Sequence, residues 1–113
     1  MCTQQQSLQI LKSIYEQCNP IFDYKITDAI LYGSYARGDY HAESDIDILL
    51  AVNTSAANIA LLRNRLASIT SGLSLQYDVT VSVTAKPSEQ FARYSEILPY
   101  YINVREEGIR YAG

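Results

Sequence analysis

The chain has 113 residues, a domain's worth of sequence, with 48% hydrophobic and 19% charged residues and a formal net charge of −3. That is apolar material for one core, with little room for a second domain to hold a large substrate. The acidic balance argues against general attraction to a nucleic-acid backbone, which calls for a basic face. No apolar run approaches a bilayer span, and the first residues lack the basic start and apolar stretch of a secretory leader. Two cysteines without metal-site spacing read as reduced thiols in a cytoplasmic protein, and the lone His41 makes a zinc site unsupported.

Leu8, Leu11, Ile14, Tyr15 and Cys18 recur at spacings of three and four, predicting an amphipathic helix over residues 4–18. Thr3 and Gln6 are placed to form a capping box, and Asn19-Pro20 ends the helix. Residues 25–32 read as a strand running into Gly33. Residues 44–52 form a second, with Asp45 and Asp47 on one face and Ile46 and Ile48 on the other. Ser55 caps a predicted helix over 56–71 with Ile59, Leu62, Leu66 and Ile69 as its buried stripe and Gly72 as its C-terminal cap. From Tyr77 to Val83, apolar residues alternate with Asp78, Thr80 and Ser82, a third strand. Pro87 and Ser88 open a helical tail, Pro99 interrupts or restarts it, Gly108 ends it, and 109–111 suit a short last strand. The order implies an α+β (α/β) domain: a small mixed β-sheet with helices packed on one side.

The chemistry concentrates between Gly33 and Leu50. Gly33 ends a strand where backbone can approach a ligand closely, and Ser34 adds a hydroxyl and an N–H at a helix start, an arrangement suited to phosphate oxygen. Asp45 and Asp47 project together at the mouth of an apolar strand. Paired carboxylates there are costly unless a cation neutralises them, and Mg²⁺, a hard cation that takes carboxylates plus substrate phosphates, fits. A third acid is expected, and Asp78 is chosen because it lies on the polar face of an otherwise apolar strand. Asp23, Asp28, Asp39 and Glu43 lie in polar segments that need no such explanation. The tyrosines, Tyr100-Tyr101 included, read as core and surface aromatics, and Arg63 and Arg65 as a solvated face.

Gly33-Ser34, a ten-residue spacer and Asp45-Ile46-Asp47 resemble the signature of the DNA polymerase β-like nucleotidyltransferases. The longer string Gly33-Ser34-Tyr35-Ala36-Arg37-Gly38 with Ser44-Asp45-Ile46-Asp47 resembles the minimal nucleotidyltransferase branch, often the antitoxin half of HEPN/MNT toxin–antitoxin pairs. The resemblance implies a single nucleotidyltransferase domain over residues 1–113. It implies that Gly33 and Ser34 contact the triphosphate, and that Asp45, Asp47 and Asp78 ligate two Mg²⁺ ions, Asp78 also helping to deprotonate the acceptor. Arg37 matches the motif arginine, with either a phosphate contact or a structural ion pair as its role. The implied activity is transfer of AMP from ATP to a tyrosine of a partner HEPN ribonuclease toxin, in a hetero-oligomer. Two alternatives are an antitoxin that acts by complex formation alone and a subunit of a small-molecule, for example antibiotic, nucleotidyltransferase.

Overall fold

The structure is a computed structural model that describes residues 2–111. Its first helix, α1 (Gln4–Cys18), starts at the expected capping box: Thr3 Oγ1 accepts the Gln6 N–H at 3.1 Å, and Gln6 Oε1 accepts the Thr3 N–H at 2.9 Å. Ile10, Leu11, Ile14 and Cys18 form its buried stripe. A 3₁₀ turn, Pro20–Phe22, follows the Asn19-Pro20 stop.

Strand β1 (Ile26–Tyr32) leads through Gly33 into a single helical turn, α2 (Ser34–Arg37). Strand β2 (Ile46–Val52) pairs antiparallel with it, and every β2 residue except Asp47 is buried. Two helices, α3 (Ala56–Leu61) and α4 (Arg63–Tyr77), occupy the region expected to hold one. Ser55 caps the first, its hydroxyl accepting the Asn58 N–H at 3.1 Å. Gly72 does not end the second. Leu73 is buried and extends the Leu66–Ile69 stripe by one more turn, so packing outweighs the roughly 1 kcal/mol that a glycine costs a helix interior. The helix closes at Asp78, which takes a left-handed conformation (φ 53°, ψ 48°) and returns its N–H to the Ser74 carbonyl.

The third strand therefore starts late. Strand β3 (Val81–Pro87) runs parallel to β2, with Ile46 opposite Val81 and Val52 opposite Pro87. The tail forms α5 (Ser88–Tyr94), then α6 (Pro99–Glu107) restarting at Pro99, then β4 (Ile109–Arg110), which pairs antiparallel with β1. The sheet order is β3-β2-β1-β4, a mixed four-stranded sheet as expected.

Alternation along the strands sorts their side chains between two faces. On one face, Leu31, Ile46, Ile48, Leu50 and Val52 pack with the stripes of α1 and α4 in the larger core. On the other, Ile30, Leu49 and Ala51 meet Phe91 of α5 and Tyr101 and Val104 of α6. Helices therefore pack on both faces of the sheet, not on one side as expected, because the tail carries its own apolar residues to the second face. Asp47, at the start of β2, lies half-buried on that second face. No helix among the described residues is long and apolar enough to cross a membrane.

Candidate active site

Gly33 sits at the turn from β1 into α2 with φ 78° and ψ −156°, a conformation that side chains disfavour. Its backbone lies directly against Asp47: a Cβ built on Gly33 would stand 2.7 Å from Asp47 Oδ2. The register of β1 and β2 makes this contact inevitable, because Tyr32 pairs with Asp47 and delivers the next residue alongside it. Gly33 is thus required twice, for its dihedral angle and for the absence of a side chain beside a carboxylate.

The turn is held from both ends. The Gly33 carbonyl accepts the N–H groups of Ala36 and Arg37, each at 3.1 Å, and the Ser34 carbonyl accepts those of Gly38 (2.9 Å) and Asp39 (3.1 Å). Tyr35 is buried, stacks on Tyr40 with ring centroids 4.3 Å apart, and donates its hydroxyl to the Cys2 carbonyl. Gln4 binds the same loop, its side-chain amide donating to the Tyr35 carbonyl at 2.9 Å. Farther on, the His41 N–H donates to Ser44 Oγ at 2.9 Å and shapes the approach to Asp45. The motif loop therefore rests on the start of α1, and Ser34 is held next to Gly33, the residue that meets Asp47.

Asp45 is exposed and Asp47 half-buried. Burial pushes the Asp47 carboxyl above the usual range, the charge of Asp45 adds to that, and Arg37 pulls against it. A half-buried carboxylate beside a second acid is a place where a bound cation would be favourable. Of the two roles open to Arg37, the structure displays the ion pair: its guanidinium reaches Asp39 at 3.2 Å and Glu107 of α6 at 3.5 Å, tying the motif loop to the C-terminal helix.

Asp78 is not where a third ligand was expected. It caps α4, outside the β3 ladder, because the helix runs on past Gly72. No group of three or more Asp, Glu, His and Cys side chains gathers around one point among the described residues. The β3 residue opposite Asp47 is Ser82, four positions farther along. Asp23 lies in a turn, Asp39 in the loop after α2, and Asp28 is paired with Arg110 at 2.5 Å.

One feature of the surroundings was not read from the sequence. Tyr32 projects on the same face as Asp47, and its hydroxyl lies 2.9 Å from that of Tyr100 on α6, with the rings edge to face at 87°. Burial and the Tyr100 hydrogen bond both raise its pKa, the Asp47 charge adds to this, and Thr84 opposes it. The available signal was the position of Tyr32 immediately before Gly33. Its partner lies 68 residues away, which no local pattern reveals.

A mixed four-stranded sheet that holds Gly-Ser at the end of one strand against Asp-x-Asp at the start of its neighbour defines a nucleotidyltransferase fold. The chain belongs to the nucleotidyltransferase domain family, whose model matches residues 9–111. It is similar to two proteins of Methanocaldococcus jannaschii, each carrying the name "Putative protein adenylyltransferase". One is 36% identical over 75 residues, covering 66% of this chain and 74% of the relative. The other is 36% identical over 84 residues, covering 74% and 76%. The chain is accordingly an enzyme of the nucleotidyl-transferring class.

Proposed function

We propose that this domain transfers AMP from ATP to a hydroxyl group on a partner protein and releases pyrophosphate. The observation that carries the reading is the packing of the Gly33 backbone against Asp47, with Ser34 next in the chain and Asp45, just before β2, near enough for its charge to act on Asp47. This brings a hydroxyl and two hard oxygen donors together where the end of β1 meets the start of β2. The names of the two archaeal relatives support a protein as acceptor.

The donor set fits a divalent cation. Asp45 and Asp47 supply carboxylate oxygens, and burial with the neighbouring Asp45 charge makes an ionised Asp47 costly unless a cation is bound. Both residues would hold Mg²⁺, with two ions expected from the family resemblance, and Mg²⁺ would neutralise charge on the phosphate oxygens. The protein's own part is positioning. Gly33 leaves room for the phosphates, the Ser34 hydroxyl hydrogen-bonds them, and Arg37 holds the loop to α6 and lowers the cost of ionising Asp47. The acceptor oxygen attacks the α-phosphorus in line, the bond to the β-phosphate breaks, and the hydroxyl proton passes to a site carboxylate or to water.

The acceptor in this proposal is a tyrosine of a HEPN ribonuclease toxin, so that the domain acts as an antitoxin in a hetero-oligomer. Exposed Ile97, Leu98 and Tyr100 offer a protein an apolar footing, and Tyr100 reaches Tyr32, the residue that pairs with Asp47. The buried free thiols Cys2 and Cys18 suit a reducing cytoplasm. Labelled ATP tests the chemistry. Label in the α-phosphate should become covalently attached to the acceptor protein, and label in the γ-phosphate should leave as pyrophosphate. Transfer of the γ-label instead would replace nucleotidyl transfer by phosphorylation.

A further inference from the structure

The register of β2 and β3 fixes which residue stands beside the catalytic pair on its other flank. Asp47 is opposite Ser82, and parallel neighbours in register point to the same face. Adjacent strands lie about 4.8 Å apart, so the two side chains emerge within reach of one ligand. Ser82 is exposed, and its side chain makes no hydrogen bond among the described residues. Ser82 is thus an exposed, uncommitted hydroxyl one strand over from Asp47 on the same face of the sheet.

We propose that Ser82 completes the site as its third protein group, so that a divalent cation meets two carboxylates and one neutral hydroxyl. This deepens the proposed function, on which it rests. The nucleotide then acts as a ligand for the metal as well as a substrate. With only two charged protein ligands, the cation is retained chiefly when the triphosphate supplies further oxygens. Metal loading and substrate binding become one coupled event, and by linkage each tightens the other by the same factor. A carboxylate at position 82 would remove that coupling by letting the empty enzyme hold the cation alone.

The test is Mn²⁺ binding measured by calorimetry, with and without a non-hydrolysable ATP analogue and with no acceptor present. Its result therefore stands apart from whether any protein is modified. The parent chain should bind Mn²⁺ weakly alone and at least about tenfold more tightly with the analogue. Ser82→Asp should raise analogue-free affinity by about tenfold or more, and Asp78→Asn should leave both affinities unchanged. Because an added acid can perturb folding, Ser82→Cys gives an independent reading. Cd²⁺ should produce a thiolate-to-metal absorbance band in that variant and none in Asp78→Cys, since soft thiolates bind soft cations directly. Unchanged affinity in Ser82→Asp together with no band in Ser82→Cys would overturn the assignment, as would weakened binding in Asp78→Asn.

Discussion

Asp47→Asn should abolish nucleotidyl transfer while making the metal-free protein more stable at neutral pH. The activity loss follows from the position of Asp47 against Gly33, where it is the more enclosed of the two candidate ligands. Losing one arm of a phosphate-stabilising clamp removes several kcal/mol of transition-state stabilisation, and at about 1.4 kcal/mol per tenfold the rate should fall on the order of 100-fold or more. The stability gain follows from linkage. Burial and Asp45 raise the pKa of Asp47 in the folded protein, so the folded state favours its protonated form. That contribution is fully present below the ordinary aspartate range and is lost as pH rises through the raised value. At neutral pH the parent therefore carries an ionised Asp47 that the fold disfavours, and asparagine relieves it. Thermal unfolding without metal should show the variant melting higher at pH 7, with the difference closing as pH falls below the aspartate range. A variant that melts lower at pH 7 would make Asp47 a structural residue.

Gly33→Ala should be nearly as damaging to activity, and it should cost stability. Alanine at φ 78° is strained, and the added carbon would stand 2.7 Å from Asp47 Oδ2, closer than a real Cβ approaches an oxygen. Either the turn moves or Asp47 swings away, and both displace Ser34 from the carboxylates. A backbone outlier of this kind costs about 1–3 kcal/mol, and misplacement of about 1 Å at a reacting centre costs on the order of 100-fold in rate. Urea unfolding should report the first effect and steady-state transfer the second. Gly38→Ala is the control. It also has positive φ (87°), but an added Cβ there meets nothing within 4 Å, so it should lose stability with much less loss of activity.

Several local signals in the sequence held. The Thr3–Gln6 box, the Asn19-Pro20 stop, the Ser55 cap and the restart at Pro99 are all present, because each depends on groups within a turn of chain. That Gly33-Ser34 and Asp45/Asp47 belong to one site was legible for a related reason: a short spacer separates them, and the structure joins their strands as antiparallel neighbours. The start of β3 was not legible. Period-two alternation holds from Tyr77 through Ala85 and cannot say where pairing begins. The helix before it was extended by the burial of Leu73, a tertiary effect that overrode the glycine signal. That shift moved Asp78 to a helix cap and brought Ser82 opposite Asp47. The role of Arg37 was undecidable from sequence because Glu107 lies 70 residues away.

Transfer of AMP onto a protein hydroxyl by the Asp45–Asp47 site leaves a covalent mark, so the mass of the acceptor decides whether it occurs. A HEPN ribonuclease partner should be incubated with this chain, ATP and Mg²⁺, separated from it, and weighed intact. One or more added AMP units on a tyrosine are expected, with ribonuclease activity that stays lost after separation and no added mass with Asp47→Asn. A partner of unchanged mass that regains its activity once separated would contradict nucleotidyl transfer as the mode of action.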